Sequence, residues 1–170
     1  MDGPTTISFS NVTVADNTLV ATFQLPLQYG GAGLRIEPGS GAQISVLNSV
    51  LGNNHDTVFP PDCYGDPISA AYSLIQTGNC FVLPNSGQGM IYGVDPMLTP
   101  TLARNGVAPN DRLPQTLSLQ LGSPLRDAGA PYGCIPIGMS LTGVPLSMDE
   151  DENPRPQGAH CDIGAYEASP

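Results

Sequence analysis

Lysine and tryptophan are missing from this 170-residue chain, and charged residues of either sign make up only 12% of it. The five basic residues are all arginines, set against fifteen acidic ones, for a formal net charge of −10. A surface that tracks phosphates needs clustered Lys and Arg, so nucleic acid is excluded as a partner. The same deficit argues against docking on an anionic membrane. Without lysine there is no Schiff base, no lysine phosphate cradle and no Lys–Asn isopeptide cross-link. No uninterrupted apolar run approaches the roughly 18–20 residues of a membrane-spanning helix. Helix signals are equally scarce, because Pro and Gly interrupt every candidate i, i+3, i+4 apolar pattern.

What is present is a turn-rich β pattern. Twenty Gly and eighteen Pro accompany a 40% hydrophobic content, and the apolar residues recur in short strand-like runs. Residues 6–14 alternate, with Ile7, Phe9, Val12 and Val14 as bulky members and a phase break near Asn11. Residues 19–25 and 42–51 repeat the style, and Leu34 and Ile36 mark another short strand. An internal echo adds to this. Asn11-Val-Thr-Val-Ala-Asp-Asn17 aligns with Asn48-Ser-Val-Leu-Gly-Asn-Asn54, each an Asn, a short strand and an Asn/Asp turn. Short strands alternating with tight Asn- and Gly-rich turns are the signature of parallel β-helix coils. The sequon Asn11-Val12-Thr13 therefore reads as a turn-side Asn of such a coil. Strand signals thin out past residue 55, so residues 1–58 are expected to form the coils. Residues 59–170 are expected to form an extension wrapped on them within one structural unit.

Four cysteines, Cys63, Cys80, Cys134 and Cys161, occur with no CxxC pair. An even count without metal-ligand spacing favours disulfides. Three pairings exist; each neighbouring pair brackets one Pro- and Gly-rich stretch, which favours Cys63–Cys80 and Cys134–Cys161. The alternative is four reduced thiols in a cytosolic protein. The start, Met-Asp-Gly-Pro, has no basic n-region or apolar h-region, so the chain is expected to be a mature form, a fragment or a recombinant product with Met1 added.

The closing run PRPQGAHCDIGAYE (154–167) resembles the end of the "choice-of-anchor Q" proteins, whose usual form is D-Q-R-G-x-P-R-P-Q-G-x-x-C-D-I-G-A-[FY]-E. Asp149 holds the leading Asp, while Asp151 and Glu152 replace the Arg and Gly. Other segments are similar in order: DCYG (62–65), SAAYSLI (69–75), VDPML (94–98), NGVAP (105–109) with Gln115-Thr116, and LGSPLRDAG (121–129). Ala71 and Ser73 replace the family's Gly and Asn in the second of these. The resemblance covers roughly residues 44–167. It implies a secreted or surface-displayed protein built on a right-handed parallel β-helix, with no known catalytic centre.

Candidate chemistry is sparse. A lyase needs carboxylates for calcium plus a base, and a hydrolase needs two carboxylates at a set separation; the recognisable strands offer only Asp16, Arg35 and Glu37, and the last two are expected to form a surface ion pair. The acidic run Asp149–Glu152 raises calcium, with Asp149 and Asp151 as candidates. Yet a hard cation wants six to eight oxygens from several directions, so a solvated loop is the simpler account. His160-Cys161-Asp162 lacks partners for zinc, since the other histidine is His55 and a disulfide sulfur cannot ligate. Arg155 is expected to satisfy several carbonyls through its five donors, and Asp127 and Asp162 to accept backbone N–H groups in Asx-type turns. Gln157, Tyr166 and Glu167 complete the motif as structural positions.

The expected molecule is thus all-β: a right-handed parallel β-helix segment followed by a loop-rich, disulfide-pinned C-terminal wrap. It is expected to be extracellular or on the cell surface, non-catalytic, and structural, adhesive or self-assembling. No cofactor is implied beyond the calcium question. Nothing before Thr6 is seen to cap the first coil, so either more coils of the native chain precede Met1 or a partner, a protein or further subunits, is expected on the N-terminal strands Thr6–Val14. The rival is a carbohydrate-binding or carbohydrate-processing β-helix meeting surface glycans.

Overall fold

A computed structural model describes residues 5–20, 30–84, 86–106, 114–135 and 145–170. Its strands are β1 (Thr6–Ser10), β2 (Thr13–Ala15), β3 (Thr18–Leu19), β4 (Leu34–Ile36), β5 (Gln43–Leu47), β6 (Val50–Gly52), β7 (His55–Asp56), β8 (Cys63–Gly65), β9 (Ser69–Ala71), β10 (Leu74–Ile75) and β11 (Ile91–Tyr92). The described residues contain no helix, so the all-β expectation holds. Expected strand 19–25 survives as Leu19 alone; residues 21–29 lie outside the described residues.

Every pairing between named strands is parallel. The sheets run β1-β5-β9, β11-β10-β6-β2, β3-β7 and β4-β8. Thr13 pairs with Val50, Val50 with Leu74, and Leu74 with Ile91, so successive layers are 37, 24 and 17 residues long. The layers shorten toward the C-terminal side. Pairing runs on past residue 58 through β8, β9, β10 and β11.

The sequence explains where each layer bends. Asn11 and Asn48, one layer apart, have φ of 55° and 47°; Tyr72 and Gly89 continue the column at 45° and 64°. Asn tolerates the left-handed region better than most residues because its short amide bonds locally. Gly89 is required for a further reason: a Cβ there would lie 2.3 Å from Cδ1 of the Tyr72 ring. The corner N–H groups of Asn11, Asn48 and Tyr72 donate to Leu47 O, Ala71 O and Gln88 O of the next layer. Beside this column Ser49 Oγ accepts Val12 N at 3.2 Å, and Ser73 Oγ accepts Ser49 N at 3.0 Å. The corner after β2 and β6 repeats the device, with Asp16 and Asn53 both at φ 58°. There Asn54 Nδ2 donates to Val14 O at 2.9 Å and to Asp62 Oδ1 at 2.8 Å. The echo between residues 11–17 and 48–54 is therefore a stack of two equivalent corners.

Inside the layers Ile36, Ile44, Val46, Leu51, Ile68, Ala70 and Ile75 form one buried cluster. A second joins Val50 and Leu74 to Leu98, Leu119, Leu125 and Ile163 from the later chain. Adjacent residues Val50 and Leu51 thus enter different clusters. Strand β6 is buried on both faces, which explains why its apolar run is continuous rather than alternating. The later chain adds isolated antiparallel bridges, Leu98 to Leu119, Ala103 to Thr116 and Met148 to Pro154. Both disulfides pair as expected, Cys63–Cys80 and Cys134–Cys161, with Cα atoms 5.5 and 5.7 Å apart.

Candidate functional site

The residues singled out near the C-terminus converge on one buried cluster. Arg155 is its hub. Its Nε donates to Glu167 Oε2 at 2.9 Å, and its Nη2 donates to Asp162 O at 2.7 Å and Gly164 O at 3.0 Å. The two side chains of the ion pair are 1% and 0% exposed. Glu167 also accepts Gln157 N on Oε1 at 3.0 Å and Asp162 N on Oε2 at 3.1 Å.

Asp162 links this hub to the preceding loop. Its Oδ1 accepts Asp127 N at 2.7 Å, and its Oδ2 accepts Ala168 N at 2.7 Å. Asp127 in turn accepts His160 N at 3.1 Å. Gly158 makes room, since a Cβ there would sit 1.9 Å from Asp127 Oδ1. Burial raises the Asp162 carboxyl above its usual range, against the pull of the Ala168 and Asp127 N–H groups. Burial likewise raises Glu167, opposed by the Gln157 and Asp162 N–H groups and by Arg155. The carboxylates are spent on backbone donors and a guanidinium, an arrangement that fastens chain to chain.

Asp149 is saturated in the same way. Asp151 N and Asn153 N donate to its Oδ1 at 2.9 and 2.8 Å; Asn153 Nδ2 and Glu167 N donate to its Oδ2 at 2.9 and 2.8 Å. A cation there would have to displace four N–H donors. Asp151 is 1% exposed; its Oδ2 accepts the Thr116 hydroxyl, and its Oδ1 has no hydrogen-bond partner. Burial raises the Asp151 carboxyl, and Asp149 adds to this. Among the described residues no three His, Cys, Asp or Glu side chains are grouped to hold a metal ion.

Tyr166 faces elsewhere. With Thr13, Ala15, Gln115, Thr116 and Glu150 it lines a cavity of about 270 Å³ between β2 and the later chain. Nothing local in the sequence couples Thr116 to the acidic run 35 residues away; the fold joins them through the Thr116 hydroxyl on Asp151, while Thr116 also bridges Ala103. Asp62 was likewise hidden inside a motif. It is 1% exposed and binds Asn54 and Thr77 through both oxygens.

Two further positions behave as surface and turn chemistry. Arg35 and Glu37 form the exposed ion pair expected of them. Asn11 is only 2% exposed and its Nδ2 donates to Ser10 Oγ, so the sequon amide is enclosed in a corner. No family model, no curated protein and no solved structure matches the chain.

Proposed function

We propose that this chain is a segment of a right-handed parallel β-helix of the choice-of-anchor Q type, extracellular and non-catalytic, that works as a structural or adhesive unit by receiving further strands on its first layer. The observation that carries this is the edge. Strands β1, β2, β3 and β4 each pair only with the second layer among the described residues, so four neighbouring strands present open N–H and C=O groups on the same side. Such an edge is a template for strand addition. The repeated corners and parallel register support the coil architecture, and the two disulfides fit an oxidising compartment.

The test follows from strand geometry. Thr5 O accepts Gln43 N and Asn11 N donates to Leu47 O, so odd-numbered residues of β1 face the second layer. Thr6 and Ser8 alternate with them and point their N–H groups to the open edge. Association that rises with concentration in sedimentation, with slow exchange of the Thr6 and Ser8 amides and loss of both in Ser8→Pro, is the expected result. A monomer at every concentration whose Thr6 and Ser8 amides exchange freely overturns it. The rival, glycan binding, draws on the exposed rings of Phe81, Tyr92 and Tyr132; saturable retention on a neutral polysaccharide gel, lost on replacing those rings, would favour it.

A further inference from the structure

The cavity behind β2 takes no part in the Arg155 lock. Leu102, Leu117 and Ala15 supply apolar wall, and Tyr166, Gln115 and Glu150 supply a ring, an amide and a carboxylate. Among the described residues its lining contains no Arg or His, in a chain whose net charge is −10. A second carboxylate stands behind the wall: Thr116, which lines the cavity, donates its hydroxyl to Asp151, whose Oδ1 is buried without a partner. The Tyr166 hydroxyl feels these charges. Burial raises its pKa first, and Asp149, Asp151 and Asp162 raise it further. Two cations that act on Tyr166 and Glu150, Arg126 and Arg155, are engaged elsewhere, with the Ser169 carbonyl and with Glu167.

Thr13 and Ala15 belong to β2, whose other edge pairs with no strand among the described residues. A strand added there would lie about 4.8 Å away, beside the cavity. We propose that this cavity receives the arginine side chain of a partner polypeptide docked on the first-layer edge, an inference that rests on the strand-addition function above. A planar guanidinium stacks on an aromatic face and forks onto a carboxylate, which a compact ammonium or a neutral group does not match.

The probe is methylguanidinium, titrated into the intact, disulfide-bonded chain and followed by amide NMR shifts, with methylurea as its uncharged counterpart. Saturable shifts at Gln115, Thr116, Glu150, Ala165 and Tyr166 with methylguanidinium, and none with methylurea, are expected. Glu150→Gln and Tyr166→Leu should each weaken binding tenfold or more while the rest of the spectrum superposes. Failure to saturate, equal binding of methylurea, or unchanged affinity in Glu150→Gln overturns the assignment. The titration reads the dilute monomer and so separates the two ideas. Saturable binding by a chain that never associates supports the cavity and removes the strand-addition function; association that is indifferent to Glu150→Gln removes the cavity from the interface.

Discussion

Replacing Arg155 by Ala should loosen the whole C-terminal wrap, and the structure sets the size of the effect. The change removes three hydrogen bonds, one to Glu167 Oε2 and two to the carbonyls of Asp162 and Gly164. It leaves Glu167, with 0% of its side chain exposed, as a buried carboxylate held only by the N–H groups of Gln157 and Asp162. Breaking a buried ion pair from one side costs about 3–5 kcal/mol, against a total stability of about 5–15 kcal/mol for a folded domain. For a chain of this size each kcal/mol moves the melting midpoint by roughly 2–4 °C, so a fall of about 6–20 °C is expected. Guanidinium unfolding with the disulfides intact should show a lower midpoint at unchanged slope, and amides in 145–168 should lose protection first. Arg155→Lys should recover only part of the loss, because a compact ammonium cannot span three acceptors in different directions. A cost below about 1 kcal/mol for Arg155→Ala would show that water already reaches this pair, and would refute the view that Arg155 fastens the wrap.

Three further outcomes follow. Burial raises the carboxyls of Asp162, Glu167 and Asp151, so on acidification the folded chain takes up these protons before the unfolded chain does. Their contribution is then largest below the ordinary carboxylate pKa of about 4 and declines as pH rises through the raised values; the denaturation midpoint should climb between pH 7 and about 4.5, and a steady fall over that range contradicts it. Gly65→Ala should destabilise by more than about 2 kcal/mol, because φ is +119° and the new Cβ would lie 1.8 Å from Ile36 O of the paired strand; an unchanged melting midpoint would count against the β4–β8 register. Replacing Cys134 and Cys161 by Ser should cost about 3 kcal/mol on chain-entropy grounds, measured by urea unfolding, whereas a loss near zero would mean the wrap is already held by its polar cluster.

How much of this was legible in the sequence depends on the range of the interaction. The corners were legible because they are local: Asn11 and Asn48 each take left-handed backbone by their own chemistry, and the repeated spacing exposes the stack. The disulfides were legible from bracketing alone. The extent of the strands past residue 58 was not. Strands β8, β10 and β11 are two or three residues long, too short to show a period of their own, and are defined by the layer on which they rest. The Arg155 cluster lay between these cases: the Arg155 and Glu167 side chains bond within the motif run itself, whereas Asp162 reaches Asp127, 35 residues away.

The acidic run is the instructive failure of local reasoning. As a string, Asp149–Glu152 invites either a cation or plain solvent. In the fold its members part company: Asp149 turns inward onto four N–H donors, Asp151 is enclosed against Thr116, and Glu150 reaches the cavity wall. A carboxylate's role is set by which donors the rest of the chain delivers to it. Three of the donors to Asp149 are local, from Asp151 and Asn153, but the fourth comes from Glu167 and the one to Asp151 from Thr116, 18 and 35 residues away. The same delivery leaves one buried oxygen of Asp151 unanswered. An unpaired buried acceptor of this kind costs roughly 1–3 kcal/mol, a cost set by how the fold encloses the run and invisible in the string of acidic residues.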